Sequence, residues 1–97
     1  MIISFGDKAT EALFHGRKSK QSRKLPPDIR RIAVRKLDMI NAARALQDLR
    51  SPPANKLEAL KGEMKGFFSI RINDQWRIIF KWDVSDAHEV QITDYHS

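Results

Sequence analysis

The alternation of apolar and polar side chains is clearest in residues 66–82, where it predicts a β-hairpin. Bulky and β-branched residues lie on both sides of a polar connection at residues 73–75, which begins with the turn-forming pair Asn-Asp. Arg71 and Arg77 interrupt the apolar pattern, one in each strand. The hairpin is therefore predicted to combine a packing surface with positive charge.

The length of the connection decides which side chains share a face. A two-residue loop at residues 73–74 would pair Ile70 with Arg77 and mix apolar with charged positions. A three-residue loop at residues 73–75 pairs Arg71 with Arg77 and separates the two sets, so we predict this register. The core face then carries Phe68, Ile70, Ile72, Trp76, Ile78, Phe80 and Trp82. The opposite, cationic face carries Ser69, Arg71, Arg77, Ile79 and Lys81.

The chain before the hairpin changes from strand to helix patterns. Residues 2–5 form an apolar run that predicts a short first strand, and a short helix capped by Asp7 or Thr10 follows. A longer helix begins at the prolines after Leu25, with a break or bend expected near Asn41. Its apolar stripe consists of Ile29, Ile32, Ala33, Leu37 and Ile40.

The segments on either side of the hairpin complete the predicted sheet. Residues 54–62 read as an irregular or short extended connection, with Leu57 and Leu60 as its core contacts. Residues 88–94 alternate as a last strand, with Gln91, Thr93 and Tyr95 on the face away from Val90 and Ile92. We therefore predict an α+β fold, in which an N-terminal strand and helices pack on one face of a mainly antiparallel four-stranded sheet.

Composition and charge narrow the class of protein. The 97 residues predict one domain, residues 1–97, and 18 Lys+Arg against 12 Asp+Glu give a net charge of +6. This excess favours a nucleic acid or an acidic protein as partner, although solubilising charge is the simpler alternative. Cysteine is absent and no apolar run has the length of a membrane span, so we expect a soluble, cytoplasmic protein.

A basic loop at residues 17–24 concentrates part of this charge. It contains five cations and no apolar side chain: Arg17, Lys18, Lys20, Arg23 and Lys24. The loop either grips phosphates or the acidic surface of a partner, or it is only a mobile, solvated connection. The sequence leaves these alternatives open.

The end of the chain offers groups for acid–base chemistry. Asp94, Tyr95 and His96 follow the last strand, which brings this end towards Arg71 and Arg77 if it pairs with the hairpin. Cleavage of a phosphodiester needs a base for the 2′-OH, an acid for the leaving 5′-oxygen and cations for the transition state. A frayed polar terminus and solvated arginines are the competing interpretation.

The sequence contains no motif for binding a metal ion or a nucleotide. His15, His88 and His96 are scattered without ligand spacing, and the four glycines form no phosphate-binding loop. We therefore expect neither a metal site nor a cofactor.

Three blocks of sequence carry a family resemblance. They are LRSPPANKLEAL at residues 49–60, SIRINDQWRIIF at residues 69–80, and Asp94-Tyr95-His96. Together they resemble the HigB-type toxins, or plasmid-maintenance killer proteins, of the RelE/ParE toxin superfamily. The resemblance extends over nearly the whole chain from Phe5 onward.

This resemblance implies a bacterial type II toxin with a RelE-like fold. Such toxins cleave mRNA in the decoding site of the ribosome without metal, using the 2′-OH as nucleophile and leaving a 2′,3′-cyclic phosphate. By position, Asp94, Tyr95 and His96 match the catalytic block, and Arg77 matches the arginine that stabilises the scissile phosphate. Further RNA contacts are expected from Arg71, Asn55, Lys56, Lys61 and Lys81, and Asn55 stands where some relatives have a catalytic histidine.

The resemblance also implies partners. It predicts an antitoxin of the HigA type, a helix-turn-helix repressor, and a toxin that is monomeric when free. The basic loop would then contact the ribosome or the antitoxin. Two other functions remain open at this stage: a gyrase-inhibiting toxin of the same superfamily, and a non-catalytic binding module that acts through the basic loop.

Overall fold

The computed structural model describes residues 1–94, which form two α-helices followed by an antiparallel sheet. The helices are α1, Lys8–Phe14, and α2, Pro27–Ala42. The strands are β1 (Glu58–Ala59), β2 (Phe67–Arg71), β3 (Trp76–Asp83) and β4 (Asp86–Asp94). Short 3₁₀ turns occupy Ser22–Lys24, Leu46–Arg50, Pro53–Asn55 and Gly62–Met64. The predicted α+β class is confirmed.

The four strands follow one another across the sheet in the order β1-β2-β3-β4, each antiparallel to its neighbour. Arg71 lies opposite Arg77 and Ile70 lies opposite Ile78. The Ile72 N–H donates to the Trp76 carbonyl at 2.9 Å, which closes a loop of residues 73–75. The predicted three-residue connection is therefore confirmed, together with the separation of the two faces.

The N-terminal segment differs from the prediction of a regular first strand. It makes two isolated parallel bridges, from Ile2 to Ala87 and from Phe5 to Val90. Backbone hydrogen bonds flank both bridges, and the Val90 N–H, for example, donates to the Ser4 carbonyl at 3.1 Å. Glu89, between the two bridge partners on β4, has a left-handed backbone with φ of 53°, which interrupts a continuous ladder. The segment is an extended edge rather than a strand.

The two candidate caps of α1 have different roles in the structure. Asp7 is the cap, because its Oδ1 accepts the Thr10 N–H at 2.8 Å. Thr10 is completely buried, and its hydroxyl oxygen accepts the Ile92 N–H at 3.0 Å. This contact ties α1 to β4 near the end of the sheet.

Helix α2 covers the core face of the sheet. Pro27 starts it, and four members of the predicted stripe are buried: Ile29, Ala33, Leu37 and Ile40. They pack with Ile70, Ile72, Ile78, Phe80, Val90 and Ile92 in one cluster. The helix ends at Ala42, which agrees with the break expected near Asn41. Truncating a core residue such as Leu37 to alanine would cost about 2–5 kcal/mol of stability.

The connection from α2 to the hairpin is better ordered than its sequence predicts. Glu58 and Ala59 form β1, with Glu58 opposite Ser69 on the edge of the sheet. Leu57 is half-buried against the core cluster as predicted, whereas Leu60 is half-buried outside it.

No helix in residues 1–94 is long and apolar enough to cross a membrane.

Candidate functional site

The face of the sheet opposite α2 is only partly open to solvent. Ser69, Arg77 and Ile79 are buried there, and Arg77 is 5% exposed. Thr93 lies opposite Arg77 in the neighbouring strand, which confirms the predicted placement of β4. The prediction of a cationic face needs correction, because Arg77 is buried and Arg71 is half-buried, so that only Lys81 of the three predicted cations is exposed.

Arg77 is fixed by the loop that joins its own strand to β2. One terminal nitrogen, Nη1, donates to the carbonyl of Asn73, to the carbonyl of Asp74 at 2.9 Å and to that of Trp76 at 3.5 Å. A guanidinium keeps its charge at any relevant pH and has five N–H donors in a planar fork. The loop carbonyls therefore hold a permanent positive charge in a defined orientation.

The side chain of Asn73 shapes the loop that holds Arg77. Its Oδ1 accepts two backbone hydrogen bonds, from the Gln75 N–H at 2.9 Å and from the Trp76 N–H at 2.7 Å. This is the local bonding that makes asparagine a turn residue. The turn signal was readable in the sequence, but its consequence for Arg77 was not, because it depends on where the loop carbonyls point.

Arg71 lies beside Arg77 and is held less firmly. Its Nη1 pairs with Asp74 Oδ1 at 3.4 Å, and the Asp74 side chain is fully exposed. Such exposed ion pairs contribute about 0–1 kcal/mol. The Arg71 Nε is buried and has no hydrogen-bond partner among the described residues. Two adjacent arginines, one fixed and one adaptable, form a site suited to an anion.

Asp94 does not share the face of Arg77. It lies opposite Trp76, on the side of the core, and its Oδ2 accepts a hydrogen bond from Gln75 Nε2 at 3.1 Å. The structure therefore brings Asp94 to the same end of the sheet as the 73–75 loop but on the other side. The other two residues of the predicted catalytic block, Tyr95 and His96, lie outside the described residues.

Asn55 is placed differently from the predicted RNA contact. It is completely buried, and its Nδ2 donates to the carbonyls of Leu49 at 3.1 Å and Ser51 at 3.4 Å. Its Oδ1 accepts a hydrogen bond from Lys36 Nζ on α2. Because every side of the amide is enclosed, direct contact with RNA is incompatible with this conformation, and the residue instead joins α2 to the chain that follows it.

Burial also affects the pKa of Lys36, which is the hydrogen-bond partner of Asn55. Partial burial of Lys36, and to a smaller extent the neighbouring charge of Arg35, lowers the pKa of the Lys36 ammonium from its usual 10.5. The network of Lys36 and Asn55 is thus a polar connection within the scaffold. The sequence does not predict this hydrogen bond, because Lys36 and Asn55 lie 19 residues apart and leave no local pattern.

The three lysines predicted to contact RNA differ in whether their ammonium groups already have partners. Lys56 and Lys61 are exposed on the connection between α2 and β2. Lys81 has its ammonium engaged, at 2.8 Å from Glu89 Oε2 and 5.0 Å from the centre of the Phe67 ring. Lys56 and Lys61 are therefore free to contact a phosphate, whereas Lys81 would have to leave two partners.

The basic loop is tied to the protein in its second half. Ser22 is buried, with its N–H donating to Ser19 Oγ at 3.0 Å and its hydroxyl donating to the Ser19 carbonyl at 3.1 Å. Leu25 then enters the core. The loop cations stay exposed, and none forms an ion pair with a carboxylate of residues 1–94: Arg17, Lys18, Lys20, Arg23 and Lys24.

Comparison with known proteins assigns the chain to a family. The sequence profile of the HigB-like toxins, described as the RelE-like toxin of the type II toxin-antitoxin system HigB, matches residues 3–96. The chain belongs to this family. This HigB-like toxin is 43% identical over 82 residues to Toxin HigB-1 of Vibrio cholerae serotype O1, covering 84% of each chain. It is 35% identical over 96 residues to Endoribonuclease HigB of Proteus vulgaris, covering 99% of this chain and all of that one.

The fold agrees with the sequence relationship. The structure of the YoeB dimer from Staphylococcus aureus superimposes with a TM-score of 0.62 at 21% identity, over 99% of this chain and 95% of that one. At this identity the likeness shows the fold alone. The family profile confirms the resemblance to HigB-type toxins, and the superposition agrees with the RelE-like fold that this family implies.

Proposed function

We propose that this HigB-like toxin is an endoribonuclease that cleaves mRNA on translating ribosomes. The observation that carries the proposal is the preorganised Arg77, whose guanidinium is oriented by carbonyls of the 73–75 loop at the end of the sheet. A related chain that aligns over all of its length is named an endoribonuclease. Charge placed in advance at a reacting phosphate is one of the largest contributions to this kind of catalysis.

The proposed reaction is an in-line transfer within the RNA. The 2′-OH attacks the adjacent phosphorus as its proton is removed, and the 5′-oxygen leaves with a proton from an acid, giving a 2′,3′-cyclic phosphate. Arg77 would stabilise the negative charge that accumulates on the phosphorane oxygens. Tyr95 and His96 are proposed to supply the acid–base steps, which typically accelerate a reaction by about 10²–10⁴-fold.

The role of Asp94 is proposed to differ from theirs. Its carboxylate bonds Gln75 on the side of the core, away from the face that carries Arg77 and Thr93. We therefore propose that Asp94 ties the end of β4 to the 73–75 loop rather than removing the proton of the 2′-OH. It would be a positioning residue for the groups on either side of it.

Substrate binding is proposed to use the half-buried Arg71 and two exposed lysines on either side of β1, Lys56 and Lys61. Arg71 lies beside Arg77, and Lys56 and Lys61 lie on the connection into β2. Contacts to phosphates release counterions, so the affinity for message-programmed ribosomes should fall steeply with salt. In the same scheme the protein works in the cytoplasm and is neutralised by an antitoxin, which we propose to be a helix-turn-helix protein of the HigA type.

Primer extension on a defined message tests class and target together. Purified toxin should produce cuts in register with codons when the message is translated, and none when initiation is blocked. Cleavage of naked RNA at the same rate would contradict the ribosome dependence. Inhibition of gyrase supercoiling with the message left intact would overturn the proposal in favour of a gyrase toxin.

A further inference from the structure

The face of the sheet that carries Arg77 has a second cluster of charged side chains at its other end. Lys81 lies opposite Phe67 on β2 and opposite His88 on β4. Alternation along β3 puts Lys81 on the same face as Arg77, about 13 Å away along the strand. An open cavity of about 610 Å³ lies beside Lys81, and His88 and Glu89 are among the residues that line it.

The Lys81 ammonium is held by a carboxylate and an aromatic ring. Glu89 Oε2 lies 2.8 Å from Lys81 Nζ, and the centre of the Phe67 ring lies 5.0 Å from the same nitrogen. Both side chains of the ion pair are about half exposed, at 47% for Lys81 and 51% for Glu89. Because water screens a pair of this kind, another anion can replace the Glu89 carboxylate at little cost.

Glu89 lies at an irregularity of the sheet. The register between β3 and β4 shifts between Ile79 and Lys81, and Glu89 has a left-handed backbone with φ of 53°. Its N–H donates to Ser4 Oγ at 2.9 Å. Residues other than glycine rarely adopt this conformation, and bulges commonly redirect a side chain beside a functional site. The irregularity thus falls on the residue whose carboxylate pairs with Lys81.

The distribution of charge on this face fits an RNA strand better than a single small anion. Arg77 lies at one end of the face and Lys81 at the other. The row between them is uncharged: Ser69, Ile79 and Gln91. One phosphate cannot reach both cations over about 13 Å. A single strand, in contrast, has a phosphate at every nucleotide and follows a line of positive charge.

We infer that Lys81 is a second phosphate subsite for the RNA on which Arg77 acts, and that Glu89 occupies this subsite until RNA binds. The inference rests on the proposed function and adds a contact that lies away from the scissile phosphate. On binding, the Lys81 ammonium exchanges the Glu89 carboxylate for a phosphate oxygen and keeps the Phe67 ring as its neighbour. The imidazole of His88, opposite Lys81, has an N–H that can donate to the same phosphate.

Uncleavable 2′-O-methyl oligouridines of two lengths test the second contact without relying on cleavage. A dinucleotide has one phosphate and occupies one end of the face, whereas a pentanucleotide spans both ends. Heteronuclear NMR titration of the whole chain measures dissociation constants into the millimolar range, and the spectra show whether each variant is folded. We expect the pentanucleotide to bind at least about tenfold more tightly than the dinucleotide, and to shift the amide signals of Lys81 and His88.

Lys81→Gln separates the two ligands. We expect this variant to bind the pentanucleotide at least about fivefold more weakly and the dinucleotide less than about twofold more weakly, since only the longer ligand reaches both ends. The matched control Lys8→Gln removes one exposed cation at the start of α1, and it should change either affinity by less than about twofold. An equal loss for the two lengths, or an equal loss in the control, would overturn the inference.

Glu89→Gln tests whether the carboxylate competes with RNA. Its removal should tighten binding of the pentanucleotide about threefold or more, whereas Glu63→Gln, the same change of charge in the turn before β2, should have less than about a twofold effect. The gain should disappear when Lys81 is replaced as well, because Glu89 then has no ammonium to release. Effects that add in the double variant would show that Glu89 does not occupy the subsite.

Failure of the subsite is distinguishable from failure of the proposed function. Codon-phased cleavage, combined with no gain in affinity from the longer oligonucleotide or with no binding at millimolar concentration, would contradict the subsite alone. Inhibition of gyrase with the message left intact would remove the RNA substrate and the subsite together.

Discussion

The two cationic regions of this toxin differ in how their charges are held. At the end of the sheet, Arg77 is nearly buried and three backbone carbonyls orient its guanidinium. On the basic loop at residues 17–24, by contrast, the cations are exposed and form no ion pairs with the described carboxylates. A charge that must meet a transition state gains from fixed geometry, whereas a charge that recognises a partner gains from being free to pair.

Replacing Arg77 should have the largest effect of any single change at the sheet site. For Arg77→Ala we expect single-turnover cleavage on message-programmed ribosomes to fall by about 10²–10³-fold, the usual cost of removing a preorganised donor to a developing oxyanion. Arg77→Lys should recover little, because Nη1 holds the carbonyls and a lysine has no second nitrogen to meet the phosphate. Cleavage by Arg77→Lys within about threefold of the unchanged protein would show that only the charge matters, and the contrast between the regions would be lost.

Asn55→Ala tests the structural role of a buried amide. The change leaves the carbonyls of Leu49 and Ser51 and the Lys36 ammonium without their buried partner, so we expect a loss of about 1–3 kcal/mol in the free energy of unfolding. Urea denaturation measures it. Cleavage should fall only with the folded fraction. If activity fell by orders of magnitude in a protein that remained folded, Asn55 would belong to the site after all.

The hairpin register was predictable because a slip of one residue would have exposed its apolar set, and this constraint is written locally in the sequence. The burial of Asn55 was not predictable, because it depends on Lys36, which lies 19 residues away on α2. The side of the sheet taken by Asp94 follows from the pairing with Trp76, which alternation along β4 determines. The sequence therefore contained this placement, because alternation puts Asp94 on the face of Val90 and Ile92.

Asn73 links the turn to the site, so its replacement should have an intermediate effect. For Asn73→Ala we expect the rate of bound-state cleavage to fall about tenfold, since the Gln75 and Trp76 N–H groups lose their acceptor and the carbonyls that hold Arg77 shift. Ribosome affinity should change less than twofold. Asn73→Asp retains the acceptor oxygen and should recover most of the rate. An equal loss in both variants, or a loss confined to affinity, would contradict a positioning role.

Lys61→Gln should have the smallest effect of these variants. It should weaken ribosome binding without slowing cleavage, which contrasts with Arg77→Ala. Lys61 is exposed and has no ion pair within residues 1–94, so it resembles the charges of the basic loop although it lies on the connection into β2. We expect a few-fold weaker binding to programmed ribosomes, and a plot of log affinity against log salt that is shallower by about one. The cleavage rate at saturation should be unchanged, because a solvated lysine stabilises bound and reacting RNA alike. A fall in the saturating rate without a change in the salt slope would mean that Lys61 acts on the transition state. The difference between Arg77 and the exposed cations would then depend on the distance of each charge from the scissile phosphate, and not on how the protein holds the charge.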